Sequence, residues 1–516
     1  MESGISYIGI EVPPYVVTAE VISNKEGVPK EKITKGLLVN EFRFPGEADT
    51  IITLAANNLL SFVENIIKND LLYEHYKKYR INGIYFATES STENSRPASM
   101  AVLEIVEPII YERMQNAGEG TREKEVYSMV LNDFRYSDSY EAKFACTAEA
   151  KLINLLNQSI NGIPRGAIVI GSDTAIYDSS KAKNAEPTQG AASSLVYLTP
   201  QPLIAKIEKE SVHYNFPAYD FYKPDEHTPR VPSGYGSEVD YVVTIGSAFE
   251  EYERLYGLPE EYYIVSHVPF SKEAIYLASF LYTHHLRVSG RIHELEKEIG
   301  KEPLGSSRSE IELIRLVSSK YQEEGNQEEI IEYIAKSPEI KALWEYHKKV
   351  RETIGFKKFI EEKGVLYAIL LPSQIGNSYN NSIVVATASL LLNAPKYKPI
   401  IWASYGSGSG TTINKLIPVE RSREEMASLI NIKSLERRIE LSEKEYEKLH
   451  EKLIEDTEYK RGLEALRRGT TLKENDKRTL GPKYNEDGFK LVSINENGIG
   501  SYTYNGKKIK KMPIIK

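Results

Sequence analysis

Residues Ile51–Ile67 read IITLAANNLLSFVENII, and after a polar stretch Ile81–Thr88 read INGIYFAT, closing on Glu89-Ser90. The first segment repeats apolar residues at the three- and four-residue spacing of one helical face. The second is a short apolar run of the kind that fills a strand covered on both sides. Working outward, the strand type recurs at Ala167–Gly171 (AIVIG), Tyr262–Ser266 (YYIVS), Val365–Leu371 (VLYAILL) and Pro399–Ala403 (PIIWA). The helical type recurs at Val239–Tyr256 and Ser382–Leu392. Strands alternating with helices predict an α/β protein with largely parallel strands joined by crossover helices. The rhythm runs on both sides of about residue 205.

Composition narrows the class. The chain has 516 residues, 41% hydrophobic and 27% charged, with a formal net charge of -8, which describes a globular protein large enough for more than one domain. Net negative charge gives no electrostatic pull towards nucleic acid or an anionic membrane. No apolar run approaches the ~20 residues of a membrane span, and the N-terminus lacks the basic and apolar regions of an export signal. A single cysteine in so long a chain points to a reducing compartment, so the expected location is cytoplasmic.

That cysteine, Cys146, sits in Phe144-Ala145-Cys146-Thr147-Ala148, where Ala148, Leu152, Leu155 and Leu156 begin a helical pattern. Alone it is either core filler or a nucleophile, and a helix N-terminus would favour the thiolate. Other chemical side chains stand where predicted strands end, the place where loops of open parallel sheets converge. Glu89 follows Thr88, Asp173 follows Ser172, His267 follows Ser266, Asn377 lies in Gln374-Ile375-Gly376-Asn377, and Tyr405-Gly406-Ser407-Gly408 follows Ser404. Each has a plain structural alternative: a helix cap, a core histidine, a turn or a tight connection.

Taken together and in order, these segments resemble the hydroxymethylglutaryl-CoA synthases of the thiolase superfamily. The resemblance rests on Phe144-Ala145-Cys146, Ala87-Thr88-Glu89-Ser90, His267-Val268-Pro269-Phe270-Ser271-Lys272, Gly376-Asn377-Ser378-Tyr379 and Ser404-Tyr405-Gly406-Ser407-Gly408. Gly171-Ser172-Asp173-Thr174-Ala175-Ile176-Tyr177, Glu186-Pro187-Thr188-Gln189-Gly190 and Tyr219-Asp220-Phe221-Tyr222-Lys223-Pro224 strengthen it. It covers about residues 5–283 and 364–425.

The resemblance implies a thiolase fold, two similar α/β halves in five layers (αβαβα) with the site between them, usually as a homodimer. The implied halves are 1–205 and 206–425, followed by a helical and hairpin tail, 426–516. It implies condensation of acetyl-CoA with acetoacetyl-CoA and water to 3-hydroxy-3-methylglutaryl-CoA and CoA, a step towards mevalonate, with no metal and no cofactor beyond the CoA thioesters. Cys146 is then the nucleophile, Glu89 the acid–base group, and His267 the group holding the acetoacetyl carbonyl. Asn377, Tyr379, Ser407, Asp173, Tyr177, Thr188 and Asp220 fall to the substrate pocket, and Lys272 to the CoA phosphates. Some archaeal relatives assemble with an acetoacetyl-CoA thiolase and a small bridging protein, and the same assembly is open to this chain.

Two features depart from the family. Thr147-Ala148-Glu149-Ala150 replaces the tyrosine and threonine pattern that usually follows the cysteine, and Glu149 would raise the thiol pKa unless it points away, as we expect. About residues 285–363 form a charged insertion read as exposed helices, with Ile311, Leu313, Ile314 and Leu316 as a partial apolar stripe; it is either solvated elaboration or a partner surface. Phe489–Tyr504 reads as a hairpin turning at Asn495-Glu496-Asn497-Gly498. Two other readings stay open: an initiating ketosynthase of the same superfamily, and a non-catalytic CoA-binding scaffold.

Overall fold

The computed structural model describes residues 3–91, 95–160, 165–178, 182, 185–223, 229–231, 233–301, 336–454, 487–494 and 500–509. Its strands are β1 (Ser3–Glu11), β2 (Tyr15–Thr18), β3 (Glu41–Phe44), β4 (Ile81–Ala87), β5 (Asp138–Ala142), β6 (Gly166–Ala175), β7 (Gly190–Pro200), β8 (Ala205–Asn215), β9 (Tyr263–Ser266), β10 (Ile400–Gly406) and β11 (Gly410–Pro418), with shorter ones after them. The main sheet runs β5-β4-β6-β7-β1-β8-β11-β10-β9 in space.

Its pairing pattern occurs twice. In the first half β4 pairs parallel with β6, and β6–β7 and β7–β1 are antiparallel. In the second, β9 pairs parallel with β10, while β10–β11 and β11–β8 are antiparallel. The order β1-β7-β6-β4 is therefore repeated as β8-β11-β10-β9. The halves meet where Gly4 and Ile5 face Lys206 and Ala205. A Cβ on Gly4 would stand 2.2 Å from the Ala205 carbonyl oxygen, so this seam requires glycine.

Continuous apolar strands are explained by cover on both faces. β7 is buried along its whole length. The Ile51–Lys68 helix packs on β1, β6 and β7, while the Ala148–Ile160 helix touches β4, β6 and β7 of one half and β8 and β11 of the other. The Ser382–Asn393 helix, buried at every residue from Ser382 to Leu391, joins it in the interior. The Gly234–Tyr256 helix covers β8, β10 and β11. Outer helices, sheets and inner helices give the expected αβαβα order.

One predicted strand is a helix. Val365–Leu371 becomes the short helix Val365–Ala368, entered through Gly364 at φ 72°, before a further turn Pro372–Ile375. Val365, Ala368 and Ile369 are buried while Leu366 and Leu370 are exposed, which is three- and four-residue spacing. Seven apolar residues satisfy either period, and tertiary packing chose the helix.

The described part of the insertion is helical but less exposed than its charge suggests. Ile340, Leu343, Tyr346, Val350, Phe356 and Phe359 are buried, and the His347 ring stacks on Phe280 with centroids 3.6 Å apart. The stripe Ile311–Leu316 lies outside the described residues, as do Pro224 and the Asn495–Gly498 turn. The tail strands Phe489–Ile494 and Gly500–Tyr504 pair antiparallel as expected. Tyr446, Leu449 and Leu453 from helical residues 443–454 fill a second core with Tyr15, Phe42 and Phe44.

Candidate active site

After β5 the chain turns sharply, with Ala145 at φ 41° and the Thr147 N–H donating to the Phe144 carbonyl at 3.1 Å. That left-handed residue aims Cys146 inward immediately before the Ala148–Ile160 helix. A Cβ on Gly406 would lie 2.9 Å from both the Phe144 carbonyl oxygen and the Thr147 nitrogen. The nucleophile turn of one half is thus pressed against the end of β10 from the other, and Thr147 and Ser404 hydroxyls bond at 2.7 Å.

Glu89 reaches the same place from the end of β4. Thr88 Oγ1 and the Glu89 N–H both donate to Asp173 Oδ1 at 2.8 Å. The second Asp173 oxygen accepts the Asn380 N–H at 3.3 Å and Asn380 Nδ2 at 3.0 Å. Asn380 Oδ1 in turn accepts the Glu149 N–H on the first turn of the Cys146 helix at 3.1 Å. Asp173 therefore fixes Glu89 directly and the start of the nucleophile helix through one asparagine.

The Glu89 carboxyl and the Cys146 thiol lie close enough to shift each other's pKa, and Glu89 Oε1 is buried without a hydrogen bond. Burial first, and the neighbouring Asp173 second, push Glu89 up to about 8. Burial, then Glu89, hold the thiol well above its usual range. The sequence expectation of a thiolate favoured by the helix terminus is therefore corrected: desolvation and three nearby acids, Glu89, Asp173 and Asp220, outweigh that dipole, and the resting group is a thiol. Asp173 itself is pushed up to about 6 by burial despite its donors.

Cys146, Ala175, Tyr177, Ala182 and Tyr379 form one buried cluster with Phe221 packed against it. Asn377 Nδ2 donates to the Tyr177 hydroxyl at 3.2 Å, and Asn377 Oδ1 accepts the Tyr379 N–H at 3.0 Å. Gly376, at φ 83°, lets this segment touch β7, since a Cβ there would be 1.8 Å from the Gln189 carbonyl oxygen. Asp220 joins through charge, acting on both Cys146 and Glu89. Ser407 is a polar neighbour of Asp220.

His267 stands one ring further off. Its Nδ1 lies 2.6 Å from Ser382 Oγ, and its ring packs beside Tyr405 at 6.2 Å, whose hydroxyl donates to Asp220 at 2.7 Å. Burial pushes the imidazole down to about 3, so it is neutral at neutral pH. Thr188 is a support: its hydroxyl donates to the Ala185 carbonyl and its own carbonyl accepts the Asn377 N–H at 3.0 Å. Lys272 is half-buried beside Arg351 and Glu352 of the inserted region, and burial lowers its ammonium pKa.

Sequence reasoning missed Asn380, Ser382 and Asp240, whose carboxyl lies 2.8 Å from the Tyr405 hydroxyl. Asn380 adjoins a motif already noticed; the other two sit within helical patterns with no signal of their own.

Glu149 points away from the thiol, as expected. Ser194 Oγ lies 2.7 Å from both its carboxyl oxygens, the Gly171 N–H donates to it, and burial pushes it up to about 8. A carboxyl so raised favours folding fully below its ordinary value of 4.5 and loses that contribution as pH climbs towards 8, at ~1.4 kcal/mol per pH unit. Glu149→Gln keeps a neutral group and removes the titration. Melting temperatures taken across pH 5–8 should show the variant gaining steadily on the wild type (about 5 to 8 being the window between the two pKa values). A gap independent of pH would contradict a buried, protonated Glu149.

Among the described residues, no cluster of three or more His, Cys, Asp or Glu side chains is arranged to hold a metal, and no helix is long and apolar enough to cross a membrane.

No family model matches the chain. A hydroxymethylglutaryl-CoA synthase of Haloferax volcanii is 28% identical over 438 residues, 83% of this chain and 86% of that protein. The Saccharomyces cerevisiae enzyme of the same name is 23% identical over 460 residues, 86% of this chain and 81% of its own. Among solved structures, MvaS in complex with 3-hydroxy-3-methylglutaryl coenzyme A matches with a TM-score of 0.66 at 19% identity, covering 98% of this chain and 99% of that one. An HMG-CoA synthase complexed with CoA matches at 0.62 with 21% identity, covering 98% and 100%. In sequence and in architecture the chain is a homologue of the hydroxymethylglutaryl-CoA synthases, carried on their thiolase-like fold.

Proposed function

We propose that this protein condenses acetyl-CoA with acetoacetyl-CoA and water to give 3-hydroxy-3-methylglutaryl-CoA and free CoA. The observation that carries the reading is the burial of Cys146 and Glu89 close enough to shift each other's pKa, in a cluster with Tyr177 and Tyr379. Cys146 Sγ attacks the acetyl carbonyl, the carbon–sulfur bond to CoA breaks, and the thiol proton leaves on CoA. Backbone N–H groups at the Cys146 turn and in Ser404–Gly408 face the developing oxyanion. With the acetyl group on sulfur, ionised Glu89 removes a methyl proton. The carbanion adds to the keto carbon of acetoacetyl-CoA, Glu89 returns the proton to the new alkoxide, and water releases the product from Cys146.

His267, neutral and fixed at Nδ1 by Ser382, presents Nε2 to the acetoacetyl oxygen. Asn377, Tyr379, Tyr177, Asp173, Asp220 and Ser407 shape the pocket, Thr188 braces Asn377, and Lys272 serves the CoA phosphates. The halves 1–205 and 206–425 act together, with 426–516 as a structural tail. The working form is a cytoplasmic homodimer, in keeping with the single cysteine.

The test is a product assay. Purified protein given acetyl-CoA and acetoacetyl-CoA should form 3-hydroxy-3-methylglutaryl-CoA with one CoA released per product, and should not use malonyl carrier protein as acceptor. Condensation only with the malonyl carrier would replace this reading by the ketosynthase one, and tight thioester binding without turnover by the scaffold one.

A further inference from the structure

Behind the pocket, the Tyr405 hydroxyl stands between two buried carboxyls. It lies 2.7 Å from Asp220 Oδ2 and 2.8 Å from Asp240 Oδ2. Tyr405, Asp220 and Asp240 are 3%, 0% and 2% exposed, so water does not mediate the arrangement from outside. A phenol has one proton to donate. It satisfies one carboxylate, and the second contact is favourable when the other carboxyl supplies its own proton to the phenol oxygen. With neither carboxyl protonated, two like charges would face each other across one oxygen in a desolvated interior.

The remaining partners decide where the proton sits. Besides the Tyr405 hydroxyl, Asp220 accepts the Gly408 N–H at 3.0 Å and Ser237 Oγ at 3.2 Å, with Ser407 and the Phe221 N–H as polar neighbours. That donor set suits an ionised carboxylate. Asp240 has fewer at hydrogen-bond distance: its Oδ2 meets the Tyr405 hydroxyl, its Oδ1 is buried without a hydrogen bond, and the Thr244 and Ser409 hydroxyls are polar neighbours.

We infer that Asp240 is a neutral, proton-bearing carboxyl and a positioning residue: through Tyr405 and Asp220 it fixes the Ser404–Gly408 segment beside Cys146 and the Tyr405 ring against His267. The fit extends to its surroundings. Asp220 faces it from the segment before the Gly234–Tyr256 helix, and Tyr405 faces it from β10. Tyr241 on its own helix packs on Tyr405 with centroids 5.2 Å apart, and buried Glu273 of the Ser271–Val288 helix feels the Asp220 charge. Each is an acid or a phenol, so none favours an ionised Asp240. Burial, then the Asp220 charge, accordingly hold its carboxyl well above the usual range. Tyr241 ties the unit to the site a second time, donating to the His267 carbonyl at 2.6 Å.

The kinetic consequence rests on the proposed condensation; the protonation does not, and the experiment separates them. Infrared difference spectra of wild type against Asp240→Asn at neutral pH should show a protonated-carboxyl carbonyl band present in the wild type and missing from the variant. In the acetylation of Cys146, Asp240→Ala should slow the reaction about tenfold or more, as loss of positioning does. Asp240→Asn, whose NH₂ donates to the phenol oxygen as the protonated acid does, should recover most of that loss. Identical infrared spectra, or an asparagine no better than alanine, would overturn the inference. A wild type that shows the band yet never acetylates would keep the proton on Asp240 and sink the condensation reading instead.

Discussion

Cys146→Ser lowers transfer of labelled acetyl from acetyl-CoA to protein by about 10⁴-fold or more, the scale seen when a covalent nucleophile is removed. Serine preserves size and the turn at Ala145, so the fold stays intact and the loss belongs to chemistry. The expectation is sharpened by the site's electrostatics. The thiol already lies well above its ordinary range because burial and Glu89 oppose its ionisation, and an alcohol in the same surroundings is harder still to ionise. Wild-type acetylation should therefore climb with pH, while the serine variant stays unlabelled from neutral to mildly alkaline conditions. Intact-protein mass spectrometry reads both, and equal labelling of the two proteins would remove Cys146 from the mechanism.

Glu89→Ala separates the steps. Acyl transfer needs the sulfur, whereas carbon–carbon bond formation needs a base for the acetyl methyl group. The variant should still acquire acetyl on Cys146 but condense about 10²–10⁴-fold more slowly, the usual worth of a positioned general base. Removing the carboxylate also removes one of the groups that raise the thiol pKa, so acetylation is spared relative to condensation. With Glu89 held at about 8, its ionised fraction rises through that pH, is half at it, and levels off above it. The kcat/KM profile of the wild type should show this ascending limb, and Glu89→Gln should lack it. A variant that condenses at the wild-type rate would assign the proton transfer elsewhere.

The sequence was legible where one residue pattern has one physical outcome. Ile51–Ile67 could only be a helix, and it is one, buried over most of its surface; INGIYFAT and AIVIG, bounded by polar residues, became β4 and β6. Val365–Leu371 failed because an apolar run of that length fits both periods, and the choice came from packing on neighbours distant in sequence. In the site, Cys146, Glu89 and Asn377 could be named because each follows an element end, and Asp173 because it stands after the apolar run AIVIG, although β6 continues through it to Ala175. Their charge states could not be read in advance. The helix terminus next to Cys146 is a local feature and argued for thiolate, but Glu89, 57 positions earlier in the chain, and burial reverse it. Asp240 was invisible for the same reason: within a helical pattern it is one polar residue among many, and its meaning comes from Tyr405 and Asp220, which only the fold brings to it.

The central claim is that sulfur, carboxylate and imidazole from three separate strand ends serve one acyl group. A crystal structure of the protein soaked with acetyl-CoA and then with acetoacetyl-CoA tests it most directly. We expect acetyl density continuous with Cys146 Sγ, Glu89 beside the acetyl methyl carbon, and the acetoacetyl oxygen against His267. An unmodified Cys146 with the thioesters bound elsewhere on the molecule would contradict it.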